Sequence, residues 1–247
     1  MLKPLSTIAQ QVRRHFSRSM PARQATSPEQ EVDYDKYWQV ARGSYSERFV
    51  DQVCQTYDFQ TVLDGGSGVG VAVRQFMSNG KDVKGVEYSS QAIEEHCSDL
   101  EEAGIVQQGT LMDLPFDDNT FDLVFSSEVL EHIEEIDAGK AVSELVRVAK
   151  KHLFLTISLR PSSDNNKYHV NLKSRQWWEQ RFCEAGCSVE AGIVDQFQVR
   201  NPALGVKEIM EAGPTSAIMS ELDWFIENPP YDLHGELEPW FFAFTKN

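Results

Sequence analysis

The sequence predicts an α/β domain, a doubly wound seven-stranded sheet with helices on both faces, and three observations predict it. Short apolar runs alternate with segments of helical periodicity from about Tyr34 onward. A glycine-rich turn follows the first apolar run at a strand-to-helix junction. The chain, at 247 residues and 41% hydrophobic, is long enough to enclose one core of this kind.

The elements follow in order. Residues 44–57 read as a helix, and Gln60–Asp64 as a short apolar strand ending in the glycine turn. Val69, Val73, Phe76 and Met77 mark one face of the next helix, closed by Asn79-Gly80. Asp82–Glu87 is a second strand, and Ile93, Cys97 and Leu100 face inward from the helix after it. Strands are expected at Ile105–Gly109, Phe121–Ser126 and Lys151–Leu159. The helix before the last of these buries Ala138, Ala141, Val142, Leu145 and Val148. A helix around Trp177–Ala185 ends at Gly186, where a residue without Cβ tolerates the left-handed turn. Ser188–Gln198 and Trp240–Thr245 complete the expected strands, with residues 199–237 as an insertion or cap before the last one. Strands alternating with helices at this spacing mean a parallel sheet.

Residues 1–30 form a basic tail outside the 31–247 domain. Lys3, Arg13, Arg14, Arg18 and Arg23 face Glu29 alone, and Leu5, Ile8, Val12 and Phe16 recur at helical spacing. This composition suits a partly ordered arm, a basic amphipathic helix or a mitochondrial transit peptide. The whole chain is acidic, with a formal charge of −15, so a phosphate backbone would be repelled and no nucleic-acid partner is expected. No apolar run reaches the roughly 18 residues of a transmembrane helix. Cys54, Cys97, Cys183 and Cys187 form no CxxC pair; they read as reduced packing residues of a cytoplasmic protein, and no metal site is assembled from them.

The strongest chemical signal is Asp64-Gly65-Gly66-Ser67-Gly68-Val69-Gly70. Glycines let this turn approach a ligand closely, and the following helix N-terminus offers N–H groups to a carboxylate. The spacing differs from the GxGxxG of dinucleotide sites because Val71 stands at the last position, which disfavours a nicotinamide-dependent oxidoreductase. Glu87 ends the second strand, where an acid can accept both hydroxyls of a ribose. Downstream stand Gly109-Thr110-Leu111-Met112-Asp113-Leu114-Pro115-Phe116, then Phe121-Asp122-Leu123-Val124, then Ser127-Glu128-Val129-Leu130-Glu131-His132-Ile133.

In these motifs the chain resembles the class I S-adenosylmethionine-dependent methyltransferases that act on small molecules, with a Rossmann-like fold. The resemblance spans roughly residues 55–190. It implies S-adenosylmethionine as cofactor, held by Asp64, Gly65, Gly66, Ser67, Gly68, Gly70, Glu87, Tyr88, Thr110, Leu111, Asp113 and Ser127. Where the family usually has an acid after the glycine, this chain has Thr110. Either Thr110 and the Leu111 backbone hold the adenine, or Asp113 takes over.

Methyl transfer from a sulfonium needs an aligned acceptor and exclusion of water. A general base helps only if the acceptor carries a proton. His132, at the exit of the fourth strand, and His169, in the polar segment 160–171, are the candidates; His132 also reads as a residue that caps or packs in the helix, and His169 as a plain loop residue. Tyr34, Tyr37 and Trp38 suit an aromatic lid or simple packing. Asn228-Pro229-Pro230-Tyr231 imitates the tetrapeptide of DNA and protein-amide methyltransferases, but it comes after the fourth strand has been spent and reads as a turn. The expected function is methylation of a small-molecule nitrogen or oxygen. A non-catalytic cofactor-binding partner protein is the alternative.

Overall fold

The structure, a computed structural model, describes residues 47–159, 168–194 and 241–247. Helix α1 (Glu47–Thr56) leads into β1 (Thr61–Gly65), α2 (Val71–Ser78) and β2 (Asp82–Glu87). Helix α3 runs in three joined pieces, Ser90–Ala92, a π-helical turn Ile93–Cys97, and Ser98–Glu102. Strands β3 (Val106–Gln108) and β4 (Phe121–Ser127) follow, then a short 3-10 turn, Leu130–His132, and α4 (Glu135–Val148). The remaining elements are β5 (Ala149–Thr156), α5 (Arg175–Glu184), β6 (Cys187–Val189) and β7 (Phe241–Lys246).

The seven strands form one sheet in the order β3-β2-β1-β4-β5-β7-β6. The chain winds outward from β1 to β3, then returns to place β4 on the other side of β1. Right-handed crossovers therefore send α2 and α3 to one face and α4 to the other. The carboxyl ends of β1 and β4 diverge at this reversal, which is where open α/β sheets bind ligands.

Burial explains the sequence pattern. Central strands covered on both faces read as continuous apolar runs, and Val62, Leu63, Leu123, Val124 and Phe125 are all 0% exposed. On one face Phe76 of α2 stands edge-on to Phe125 at 5.3 Å, and Phe49 of α1 lies 5.6 Å from Phe154. Phe125 stacks on Phe154 at 6.1 Å, and Phe154 on Phe241 at 6.3 Å. On strand alternation Phe242 and Phe244 turn to the opposite face, where Phe182 of α5 stacks on Phe244 at 4.4 Å. Arg147 of α4 ties down the loop before β4, donating to the carbonyls of Leu114 and Phe116.

Four expectations are corrected. The sheet is mixed, because β7 runs antiparallel to both β5 and β6. The strand expected over Ser188–Gln198 stops at Val189: the Glu190 N–H donates a last ladder bond to the Ala243 carbonyl, and the N–H groups of Ile193 and Val194 fold back onto the Glu190 carbonyl. Residues 195–198 lie outside the described residues. Met77 is 42% exposed, since α2 turns Ala72, Val73 and Phe76 inward instead. Cys183 is exposed, one step around α5 from the buried Phe182, while Cys187 is buried as expected. Among the described residues no helix is long and apolar enough to cross a membrane.

Because Phe154 touches Phe49, Phe125 and Phe241, Phe154→Ala should cost about 3–5 kcal/mol. Denaturant unfolding measures this, and a midpoint matching the wild type would contradict the shared aromatic ladder.

Candidate functional site

Three glycines in the turn after β1 occupy the left-handed region: Gly66 at φ 81°, Gly68 at 52° and Gly70 at 78°. Space forbids side chains as firmly as conformation does. A Cβ on Gly66 would lie 2.3 Å from Cγ2 of Val129, and one on Gly70 would lie 2.7 Å from Sγ of Cys97. The N–H groups of Gly66 and Ser67 both donate to the Val86 carbonyl, at 2.8 and 3.0 Å. The turn is thereby fastened to the tip of β2.

Glu87 completes the fastening. Its Oε2 accepts the Gly68 N–H at 2.7 Å and its Oε1 accepts the Ser89 N–H at 2.8 Å. Burial raises its pKa, and these backbone bonds oppose the rise. Asp64, 2% exposed, is pushed up to about 8, first by burial and then by the charge of Glu87. Its Oδ2 has no hydrogen-bond partner. Two buried carboxyls at neighbouring strand tips, one with an unsatisfied oxygen, suit hydroxyl donors and a positive charge.

The other expected cofactor contacts line the same edge. Tyr88, 57% exposed, follows Glu87 directly. Thr110 and Asp113 form a tight bridge just beyond β3, with the Thr110 hydroxyl accepting the Met112 N–H at 3.3 Å and the Asp113 side chain exposed. Leu111 is buried, with Cδ2 3.1 Å from where a Gly65 Cβ would stand. Ser127 shares a 2.9 Å hydrogen bond with Thr156, joining the tips of β4 and β5.

His132 and His169, proposed from separate segments, meet. Their ring centroids are 5.0 Å apart, edge to face. Nδ1 of His132 is 2.9 Å from the Tyr168 carbonyl. A carbonyl only accepts, so Nδ1 carries the hydrogen and Nε2 presents a lone pair. Burial, and then the neighbouring His169, press the His132 pKa down to about 4, which keeps the ring neutral. The Asn171 N–H donates to the Glu131 carbonyl at 3.0 Å, docking the segment that carries His169 onto the turn that carries His132.

Sequence reasoning gave no role to Glu131, which the structure places at the centre of this cluster. It is 0% exposed, and its Oε1 accepts the Ser158 N–H at 3.0 Å. Its pKa is raised well above the ordinary carboxylate range, chiefly by burial and then by the adjacent Glu128. Glu128 itself holds a φ of 57°, rare for a residue with a side chain. The available signal was the spacing: acids at 128 and 131 and a histidine at 132, directly after a buried strand. Tyr34, Tyr37, Trp38, residues 160–167 and the insertion with Asn228–Tyr231 lie outside the described residues.

Parts of the chain are similar to known proteins. Residues 63–156 match the family described as a methyltransferase domain. An uncharacterized methyltransferase of Bacillus subtilis, YcgJ, is 34% identical over 94 residues, 36% of each chain. Norajmaline N-methyltransferase of Rauvolfia serpentina is 31% identical over 120 residues, covering 44% of this chain and 40% of that one. The matches thus span well under half of either curated relative. Among solved structures, Haemonchus contortus phosphoethanolamine N-methyltransferase 2, with phosphomonomethylethanolamine and S-adenosylhomocysteine, aligns with a TM-score of 0.52. That alignment is 20% identical and covers 81% of this chain and 52% of that chain, a likeness of fold.

Two outcomes test the turn. Gly66→Ala should destabilise the protein, by roughly 1–2 kcal/mol from the left-handed backbone alone and more from the clash with Val129. Adding Val129→Ala should return only the clash component in thermal unfolding; no recovery would contradict the contact. Asp64 has a raised folded pKa, so the folded chain holds a proton that the unfolded chain releases above about 3.8. Stability should therefore fall as pH rises from about 4 to about 8 and level off above. Thermal melts of Asp64→Asn should lack that component, and an unaltered pH profile would refute the burial of the charge.

Proposed function

We propose that this chain, which carries a class I S-adenosylmethionine-dependent methyltransferase domain, transfers the methyl group of that cofactor to a nitrogen or oxygen of a small molecule. The observation that carries the proposal is the Asp64–Glu87 carboxyl pair set against the glycine turn. S-adenosylmethionine bears an ammonium and a sulfonium, and the unsatisfied Oδ2 of Asp64 is what a buried cation would complete. On this reading Glu87 takes the ribose hydroxyls, while Tyr88, Thr110, Leu111 and Asp113 surround the adenine. Gly65, Gly66, Ser67, Gly68 and Gly70, with Ser127, flank the amino-acid portion. The bound cofactor supplies a methyl group activated by positive sulfur.

The chain's own residues supply placement and proton handling. Val129, packed over Gly66, and the turn after it form the acceptor side of the site. On this reading His132, held neutral with its Nδ1–H on the Tyr168 carbonyl, handles the acceptor's proton, and His169 stands beside it for acceptor contact. A small acceptor fits the acidic charge of −15, which disfavours nucleic acid. Two of the proteins it resembles are named as N-methyltransferases of small molecules. The four cysteines, all free, suit a reducing, cytoplasm-like compartment.

Calorimetric titration with S-adenosylmethionine and S-adenosylhomocysteine, with NADH as control, tests the assignment. The wild type should bind the first two and not the third. Asp64→Ala and Glu87→Ala should each weaken binding by about 10–100-fold, the worth of a charged hydrogen bond, with circular dichroism unchanged. Wild-type affinity in both variants would remove the proposed cofactor site.

A further inference from the structure

We propose that the side chain of Asn171 binds a hydroxyl carried by the methyl acceptor, which makes the substrate a hydroxylated small molecule. Asn171 is 1% exposed, and neither its Oδ1 nor its Nδ2 has a hydrogen-bond partner. A buried carboxamide in this state has given up its hydration for nothing in return. Unmet buried groups of this kind are uncommon in native proteins, and catalytic sites are among the places that keep them.

The surroundings identify the missing partner. The Asn171 N–H donates to the Glu131 carbonyl at 3.0 Å, which sets the residue beside the turn Leu130–His132. Glu131 is fully buried, and its Oε2 likewise has no hydrogen-bond partner. An amide donor and a carboxyl acceptor on segments joined by a backbone bond would close on each other if nothing belonged between them. Here they stay apart. The Asn171 donor and the two unbonded oxygens call for a group that accepts one hydrogen bond and donates another. A hydroxyl does both through one atom. A carboxylate has no hydrogen to give, and an ammonium has no lone pair for the Nδ2 hydrogens.

The place suits the acceptor. The turn begins directly after Val129, which packs over Gly66 of the cofactor turn. The segment of Asn171 also carries His169, 5.0 Å ring to ring from His132. A hydroxyl held by Asn171 orients the rest of the molecule, so that the atom to be methylated lines up with the cofactor. An acceptor without that hydroxyl leaves buried polar groups unpaired, which discriminates more sharply than a lost apolar contact. The inference rests on the methyltransferase reading above and names the substrate class for that site.

The test compares ethanolamine with ethylamine, two amines that differ only by the hydroxyl, as acceptors of tritiated methyl from S-adenosylmethionine. Full-length wild type should use ethanolamine with a kcat/KM at least about tenfold higher. Asn171→Leu and Asn171→Ala should each bring that ratio below about twofold. Calorimetry should show their cofactor affinity within about twofold of wild type, which also reports that they fold. The ratio of the two amines is unmoved by a general loss of stability. Cofactor binding in a wild type that prefers neither amine, or turns over neither, would overturn the hydroxyl site and leave the methyltransferase reading intact. A preference retained in both variants would overturn the assignment to Asn171. A wild type that binds no cofactor would remove both readings.

Discussion

The carboxylate of Glu87 is the constraint on which the cofactor edge depends. By accepting the N–H groups of Gly68 and Ser89 it joins the turn after β1 to the start of α3, across the tip of β2. A turn with three residues at positive φ has little intrinsic preference for one shape, and glycine makes it cheap to deform. Glu87, helped by the Val86 carbonyl beneath Gly66 and Ser67, imposes the shape. The same arrangement keeps Glu87 and Asp64 out of water with no cation among the described side chains paired to them by a salt bridge. On the proposed reading the fold gathers buried carboxyl acceptors where the cofactor's positive groups would lie, at a cost to the unliganded chain that binding would relieve.

On the other side of β1 the anchoring is by hydroxyls. Ser126 donates to the Gly65 carbonyl at 2.7 Å, and Ser127 and Thr156 join at 2.9 Å. The Thr156 carbonyl and hydroxyl then receive the N–H of Glu128, fixing the residue at which the backbone leaves β4 in a left-handed turn. From that turn Glu131 swings inward to Ser158, and the Asn171 N–H closes on the Glu131 carbonyl. Elements before and after β5 are therefore locked together at one sheet edge. Strain at Glu128 is sustained by bonds on both sides, as is common where a backbone exception serves a site.

Much of the fold was legible because it is periodic. Buried parallel strands announce themselves as apolar runs, and amphipathic helices as a repeat, so the positions of β1, β2, β4 and α4 follow from residue type alone. Errors came where no period operates. Met77 sits on the solvent side because Ala72, Val73 and Phe76 take the inward face of α2, and β6 stops at Val189 because the residues after Glu190 fold back onto its carbonyl. The antiparallel direction of β7 has no local signature, since strand direction is decided by the partner that β5 offers.

For the candidate site, the sequence by itself singled out the glycine turn, Glu87, Asp64 and the two histidines. Each belongs to a contiguous motif or to a loop that the strand order sends to the carboxyl edge. Only the tertiary structure decided that His169 stands 5.0 Å from His132 and that Glu131 is fully buried between Ser158 and the segment of Asn171. Neighbours in a folded site come from remote parts of the chain, and the burial that shifts a carboxyl or an imidazole depends on everything packed around it. That environment is written in the fold, not in the spacing of residues.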